Sequence, residues 1–578
     1  SFSPVYGIKY SNRWEVKLGM SPSNVKFTPI VTNTISIQDL KDLPLETLPT
    51  SPQFDSRTSV SRGKSNFEFS FSPVYYANNQ VYKIERFRIE YTDGRSSSNF
   101  ISTIQAADNS VLSSGDIYKF SVDKTGIFKL DKRFLESLGM NVRTINPQNL
   151  KIYGNGGAML PLRNKDNQFF DPQENTIRVV GEADGRFDDE DYILFYAEGS
   201  LGFNAESLTH INAYTDKSYY FITALGDAGL RVQEQQQPVE AAASVINTFD
   251  DYQFYEVDER NLLNLGRRWF GERFDVINEQ NFDFNFPNRV VSEPIDIRLY
   301  VAAISESPTV FTASVNGNQF ANLPLLAINE SILARGAVYD SYRFPDTNPR
   351  IRANGDQLNV QINYLNNGNP SSTGFLDFIA IGAERKLQGT GEQFSFVNNS
   401  VINAAGVGKY EIANAATISE VWEVTNKAAV TSVSNKEGLS IFSFKSRLGV
   451  SRKFVALDAQ DFYVPQQVSQ NALIQNQNIK GSVLAARGAI DYLMITSDLL
   501  RPQAERLANH NRNFRGLNVK VVSLEEIYNE FSSGNPDIGA IRNLIRYVYE
   551  SASSPEERLK YVCLFGDTSF DYKDRISN

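Results

Sequence analysis

Thiol and imidazole side chains are scarce in this chain, which holds one cysteine, Cys563, and two histidines, His210 and His510. A lone cysteine cannot form an internal disulfide, so a disulfide-stapled scaffold is excluded. So few sulfur and imidazole ligands also exclude a typical structural zinc site. The glycines lack the Gly-x-x-x-x-Gly-Lys pattern of a phosphate-binding loop, and no Ser-His-Asp arrangement is indicated.

Long apolar runs and concentrated positive charge are also missing. No run approaches the roughly 20 apolar residues that a membrane-spanning helix needs. The 57 basic residues are outnumbered by 67 acidic ones, and no basic stripe is present, so nucleic acid is not an expected partner. The chain begins at Ser1 without Met, and we expect an exported protein whose signal peptide has been removed.

Aromatic residues are abundant, at 12% of 578 residues, and favour half-buried strands. Phe67–Phe71 and Phe87–Tyr91 alternate with period two, and Asp93-Gly94 indicates a hairpin turn after them. Short strands separated by Asn-Gly pairs, such as Asn316-Gly317 and Asn354-Gly355, predict a jelly-roll-like sandwich farther along.

The chain length corresponds to about three to five domains. Gln233–Ser244 is predicted to be a linker, and Gln466–Asn478 a connecting chain rich in Gln and Asn. A short helix is predicted over Asp131–Leu138. The predicted parts are an N-terminal β domain (1–109), a β-rich domain with this helix (110–237), a β-sandwich (250–387), a β module (394–480) and an incomplete α/β domain (488–578).

The last part changes its periodicity to that of a doubly wound parallel sheet, βαβαβ. The predicted strands include Tyr492–Ile495, Val519–Val522 and Tyr561–Phe565. The first helix is predicted to bury Leu500, Ala504, Leu507 and Phe514 and to stop at Gly516, and Asp537 is predicted to cap the second.

Ligands of an open parallel sheet bind beyond the carboxyl ends of its strands. Those ends are Thr496–Asp498, Ser523 and Gly566-Asp567. Gly566 permits a tight exit from the strand, and Asp567 could orient a catalytic group or bind a cation at the active-site edge. Stabilisation of a turn by Asp567 is an equally good interpretation.

Cysteine peptidase chemistry needs a thiolate and a histidine base. Cys563 lies in the middle of an apolar strand, so we interpret it as an inert core thiol. His510 lies on a polar helix stretch and is expected to be solvated, and His210 belongs to an unrelated β unit. No catalytic dyad is therefore assigned within the chain.

The acidic segment Gly181–Asp191 has a composition that fits calcium, with Asp184, Asp188 and Asp189 as weak candidate ligands. Its spacing does not match an EF-hand loop. A solvated hairpin is the favoured interpretation, because charge runs usually face water.

Several segments, taken in order, resemble the surface sortases of the type IX secretion system of Bacteroidetes, gingipain-like cysteine peptidases of family C25. No single motif suffices, and the first 100 residues match nothing. The segments are Val111–Leu130, Leu150–Gly157, Val180–Gly199, Asn261–Phe274, Phe375–Leu387, Val421–Asn426 and Asp491–Asp567.

The resemblance implies a cysteine peptidase on the outer-membrane surface that removes C-terminal signal domains from secreted cargo and joins the cargo to anionic lipopolysaccharide. It implies attachment through a PorV-like outer-membrane β-barrel and other attachment-complex proteins. The family's thiol and histidine lie in the later half of the peptidase domain, so no catalytic residue is carried over. We expect the native protein to continue past Asn578, and this chain to be inactive alone.

Two other possibilities stay open. One is a noncatalytic surface protein, either a glycan-binding array or an assembly platform. The other is that the N-terminal module shields the active site like a pro-segment.

Overall fold

The computed structural model describes residues 2–3, 7–8, 10–16, 20–40, 45, 48–61, 64–95, 108–167, 169–329, 333–345, 347–469, 471–486 and 489–576. The chain divides into two compact units, residues 1–105 and 106–578. Within the described part, no helix is long and apolar enough to cross a bilayer.

The first unit consists of antiparallel strands in three small sheets, with the orders β1-β2, β3-β6-β5 and β4-β8-β7. Its strands are β1 (Phe2–Ser3), β2 (Gly7–Ile8), β3 (Tyr10–Val16), β4 (Met20–Ile35), β5 (Phe54–Ser61), β6 (Lys64–Phe71), β7 (Val74–Ala77) and β8 (Gln80–Arg95). Phe67, Phe69 and Phe71 are buried, which confirms the predicted alternation. The turn predicted at Asp93-Gly94 is wrong, because both residues continue β8 and pair with β4.

The second unit begins with the first β module, two antiparallel sheets around one apolar core. Asp131 accepts a hydrogen bond from the Phe134 N–H, which caps the predicted helix. The elements are β9 (Tyr118–Val122), β10 (Gly126–Asp131), α1 (Lys132–Ser137), β11 (Lys151–Tyr153), β12 (Glu174–Asn175), β13 (Ile177–Val180), β14 (Tyr192–Ala197) and β15 (Ser218–Thr223).

The segment predicted as a linker, Gln233–Ser244, is more structured than expected. It contains β16 (Gln233–Glu234) and leads into β17 (Ser244–Ile246), and both pair in parallel with strands of the second β module. Sequence pattern could not show this, because the pairing partners lie more than 150 residues away.

The sandwich consists of two antiparallel sheets, ordered β18-β26-β21-β24 and β20-β25-β22-β23, that enclose a large apolar core. Its strands are β18 (Thr248–Glu256), β19 (Arg273–Phe274), β20 (Glu279–Asn285), β21 (Asp296–Ile304), β22 (Thr309–Val315), β23 (Asn318–Leu325), β24 (Arg335–Asp340), β25 (Gln357–Leu365) and β26 (Thr373–Lys386). Asn316 has φ 47° and Gly317 φ 80°, as the predicted hairpin turn requires.

The second β module encloses its own core between two sheets. Its strands are β27 (Phe394–Phe396), β28 (Val407–Ala413), β29 (Ile418–Glu423), β30 (Thr431–Ser434), β31 (Ile441–Arg447) and β32 (Phe454–Asp458). The following strand, β33 (Gln466–Gln467), returns instead to the first β module and pairs with β9.

The α/β part confirms the predicted parallel sheet, with the order β35-β34-β36. Gly516 ends α3 with φ 65°, and Asp537 caps α5, as predicted. The elements are α2 (Ile479–Ala485), β34 (Tyr492–Thr496), α3 (Arg501–Arg515), β35 (Val519–Ser523), α4 (Leu524–Phe531), α5 (Ile538–Glu550) and β36 (Tyr561–Phe565).

The helices of the α/β part differ from the prediction. The sequence predicted neither α2 nor α4, and α4 starts directly at the end of β35. The buried face of α3 consists of Ala504, Ala508 and Asn511, whereas Phe514 is 83% exposed. Ala504 and Ala508 pack on Met494 and Val519 of the sheet, because small side chains let the helix approach it closely.

Candidate functional site

The carboxyl ends of the three parallel strands lie side by side, as predicted. Thr496 is in register with both Ser523 and Phe565. Its hydroxyl donates a hydrogen bond to the Phe565 carbonyl over 3.0 Å, which ties the ends of β34 and β36 together. This edge is where a doubly wound sheet holds its ligand.

The two predicted edge residues lie at the end of β36. Gly566 and Asp567 are both exposed. The Asp567 carboxylate accepts a hydrogen bond from the Thr568 N–H over 2.8 Å, the kind of contact that the turn interpretation describes. A role of either residue in catalysis stays a prediction.

A cleft of about 420 Å³ opens at the ends of β34 and β35. One wall is formed by the α/β part. The other wall consists of residues 468–469 and 471–477 of the connecting segment (466–478), which the sequence predicted only as connecting chain. Backbone hydrogen bonds of 2.8 and 2.9 Å hold this segment against Lys119 of β9 and against Ile117, just before that strand. The lining residues include Lys119, Asn471, Gln475, Asp498, Arg501, Ser523, Glu525, Glu526 and Asn529.

Lys119, which the sequence did not single out, brings a buried cation to this cleft. Its Nζ donates to Asn529 Oδ1 over 2.9 Å and lies 4.8 Å from the centre of the Tyr219 ring. Burial lowers the pKa of Lys119 to about 8, while the charge of Glu525 acts in the opposite direction. Only its apolar surroundings distinguish this lysine, and those depend on tertiary packing.

The opposite side of the cleft is held by a capping box. Ser523 accepts a hydrogen bond from the Glu526 N–H, and Glu526 accepts one from the Ser523 N–H, which fixes the start of α4. Arg501 forms an ion pair with Glu526 and lies 3.5 Å from Asp498. The cleft is therefore lined by charges of both signs and by amides.

A buried ion triad adjoins the cleft through Gln477, a lining residue that donates a hydrogen bond to Glu530 Oε1 over 3.1 Å. Lys480 Nζ lies 2.8 Å from Asp171 Oδ1 and 3.1 Å from Glu530 Oε2, and all three side chains are at most 5% exposed. Burial raises the pKa of Asp171, although Lys480 and hydrogen bonds from Val111 and Ser110 counteract this. The triad joins α2 and α4 to the first β module.

The residues considered for thiol chemistry lie on separate elements. Cys563 is half-buried in β36 and packs against the cluster of Met494 and Ala504. His510 is exposed on α3 and stacks on Phe514, with ring centres 5.0 Å apart.

His210 is fully buried among residues of β18. Its Nδ1 lies 2.7 Å from Glu256 Oε2, and its Nε2 lies 2.6 Å from the Tyr252 hydroxyl. It therefore connects the first β module to the sandwich, a contact that its sequence neighbourhood did not indicate.

The weak metal candidates have separate partners. Asp189 pairs with Lys132 Nζ at 2.5 Å, and Asp184 accepts from the Arg186 N–H over 3.0 Å. The Asp188 N–H donates to Asp191. Among the residues that the structure describes, no group of three or more His, Cys, Asp or Glu is placed to hold a metal ion. Calcium binding by these residues is untested.

Comparison with known proteins agrees with this geometry. Residues 485–578 match peptidase family C25. The matched residues contain the parallel sheet and the α/β wall of the cleft. The family resemblance predicted from the sequence is confirmed there.

The chain is similar to dimeric latent PorU from Porphyromonas gingivalis. The identity is 21% and the TM-score 0.65, over 81% of this chain and 43% of that chain. The likeness confirms the multidomain β-rich fold, and the chain spans less than half the length of this relative.

Two further solved structures are similar to the chain, but their TM-scores are too low to support a conclusion about its fold. The CBM36-1 domain of a xylanase from the hindgut metagenome of Trinervitermes trinervoides has 7% identity and a TM-score of 0.15, over 23% of this chain and 96% of that chain. The Cry8Ea1 delta-endotoxin of Bacillus thuringiensis has 11% identity and a TM-score of 0.17, over 40% and 41%. No curated protein matches the chain.

Proposed function

We propose that this chain is the N-terminal part of a cell-surface cysteine peptidase or transpeptidase, a sortase. The protein would remove C-terminal signal domains from type IX secretion cargo and join the cargo to anionic lipopolysaccharide. The supporting observation is that the residues matching peptidase family C25 include the parallel sheet and the α/β wall of the cleft at its strand ends.

In this proposal, different parts of the chain contact cargo and partner proteins. The cleft is lined by residues of the α/β part, the connecting segment and the first β module, so all three can contact cargo. The outer faces of the β modules remain for a PorV-like β-barrel and for other proteins of an attachment complex.

The test is an assay of the full-length protein with a cargo protein that carries its C-terminal signal domain. We expect cleavage that iodoacetamide abolishes. The Cys563→Ser variant should retain thiol-dependent cleavage, because this thiol is half-buried in a strand. Absence of cleavage, or cleavage that survives thiol blocking, contradicts the proposal.

A noncatalytic glycan-binding role is the second candidate, supported by aromatic side chains at the surface of the sandwich. Tyr342 is 75% exposed and Phe344 is 40% exposed. Exposed aromatic rings can stack on sugars. Binding of the chain to a glycan array that Tyr342→Ala abolishes would favour this candidate, whereas no binding would count against it.

A further inference from the structure

The segment that follows β36, residues 569–576, leaves the α/β part and lies against the first β module and the sandwich. Its aromatic residue Tyr572 packs on Tyr214, with ring centres 4.8 Å apart. On the other side the Tyr572 ring lies against Gly266. A Cβ at position 266 would stand 2.4 Å from Tyr572 Cε2, closer than any real contact. A side chain at position 266 would therefore displace the Tyr572 ring.

A second contact holds the segment at Arg575, three residues after Tyr572. The Arg575 guanidinium lies 4.5 Å from the centre of the Trp269 ring, and its Nη2 is 3.3 Å from Asp258 Oδ2. Cation–π contact and an ion pair thus act on the same side chain. Lys573 adds an ion pair to Asp216 at 2.5 Å.

Asp571, which precedes both contacts, folds the segment onto itself. Its Oδ2 accepts a hydrogen bond from the Ile576 N–H over 2.6 Å, and its carbonyl accepts one from the Asp574 N–H. Asp571 is 6% exposed. The segment is therefore a turn in which the side chains of Asp571, Tyr572, Lys573 and Arg575 each have a contact.

The receptor for this turn lies in the segment that carries the family resemblance, Asn261–Phe274. Gly266 and Trp269 contact the turn directly. Arg267 supports it through Tyr214, since its Nε donates to the Tyr214 hydroxyl over 2.9 Å. Arg268 pairs with Asp377 inside the sandwich. Two residues of the segment, Gly266 and Trp269, thus contact residues 569–576, and Arg267 reaches them through Tyr214.

We propose that Asp258, Tyr214, Gly266 and Trp269 form a latch for residues 569–576, and that the latch positions the carboxyl end of β36. Gly566 and Asp567 lie between the last residue of β36 and the held turn. Three peptide units separate Asp567 from Phe570, so their Cα atoms can be at most about 11 Å apart. The strand end is therefore fixed from both sides, by β34 and by the latch.

The functional part of this inference rests on the proposed peptidase function, because the positioned strand end borders its candidate site. The latch residues are positioning residues, since none of them lines the cleft. A purely structural joint would also pack tightly. If the latch has a positioning role, weakening it should alter the end of β36 and the chemical step while the rest of the fold stays intact. A purely structural role does not predict these changes.

The test uses Gly266→Ala, which forces the Tyr572 ring aside, with Gly202→Ala as matched control, because a Cβ at position 202 meets nothing within 4 Å. Trypsin cleavage after Lys573 and Arg575, whose side chains are 9% and 17% exposed, should become faster by about tenfold or more in Gly266→Ala only. Hydrogen exchange at Tyr561–Phe565 should rise with it, while exchange in the sandwich stays unchanged. Unchanged cleavage and exchange would overturn the latch.

A double-mutant cycle separates the ring contact from a general loss of stability. If Gly266→Ala acts through Tyr572, it should have no further effect in a Tyr572→Ala background. An equal effect in both backgrounds overturns the assigned contact.

In the full-length protein, Gly266→Ala should lower kcat by about tenfold or more and leave KM unchanged, as expected when a reacting group is misplaced but binding is intact. A change in KM alone, or wild-type kcat, contradicts the positioning role. Absence of cleavage in the unaltered protein would refute the proposed function, while the proteolysis and exchange results would still decide the latch.

Discussion

Lys480 Nζ on α2 lies 2.8 Å from Asp171 Oδ1 of the first β module, across 309 positions of the chain. Glu530 on α4 completes this fully buried triad. Since the three charges come from three separate segments, the triad fixes how the α/β part sits on the β scaffold.

Lys480→Met should therefore destabilise the protein strongly. It leaves two buried carboxylates without a cation, which typically costs about 3–5 kcal/mol. Urea denaturation, followed by exchange of the α4 amides, measures the loss. Arg163→Met removes the exposed pair with Asp166 in the same β module and should cost less than about 1 kcal/mol. Equal effects of the two substitutions would argue against the stabilising role of the triad.

Asp377 predicts a pH dependence of stability. Burial raises its pKa from 3.8 to about 8, an effect that Arg268 opposes and the charges of Glu256 and Asp258 reinforce. The folded state thus binds this proton more tightly than the unfolded state. The resulting stabilisation is complete below pH 4 and is lost as pH rises through about 8.

Asp377→Asn should flatten the curve of unfolding free energy between pH 4 and pH 8. Urea midpoints at a series of pH values provide the measurement. Asp283→Asn, on the exposed face of β20, is the control and should retain the shape of the original curve. A curve for Asp377→Asn that falls as steeply as the original would refute this assignment.

Ser523→Ala should weaken the start of α4 by about 1 kcal/mol, because it removes the side-chain half of the capping box. Amide exchange in the first turn of α4 measures this. Ser497 precedes a 3₁₀ turn and makes no capping hydrogen bond. Ser497→Ala should therefore leave amide exchange in the first turn of α4 unchanged. Similar exchange in both variants would show that the box does not stabilise α4.

The edge strand β36 should promote self-association of the chain. Val562 and Leu564 are 42% and 56% exposed on the same face, and exposed apolar edge strands pair readily with other chains. Leu564→Lys should reduce concentration-dependent association measured by light scattering. Leu499→Lys, at an isolated leucine that is 86% exposed, should not. Equal scattering from both variants would exclude β36 as the cause.

Local patterns were sufficient where short-range physics decides the structure. The apolar runs of β34 and β36, the cap at Asp537 and the left-handed Gly516 are set by neighbouring residues, and each was predictable. The face of α3 was mispredicted, because apolarity alone ranks Phe514 above Ala508, while close packing on the sheet favours the smaller side chain.

The candidate site was predictable only in part. The strand ends follow from the βαβ pattern, so Ser523 and Asp567 were found. Lys119 and the connecting segment were not, since they reach the cleft through hydrogen bonds between residues 410 and 345 positions apart. No local pattern records such a contact, and the same holds for the buried position of His210 beside Glu256.

The pairing of β33 with β9 has a consequence for how the protein is made. Gln467 of β33 pairs with Phe120 of β9 and covers that edge of the sheet. After Phe120, another 347 residues must therefore be synthesised before the edge is covered. At roughly 5–20 residues per second, a nascent chain waits about 17–70 s with this strand open. Export in an unfolded state would remove the interval, because both strands would then become available together on the far side of the membrane.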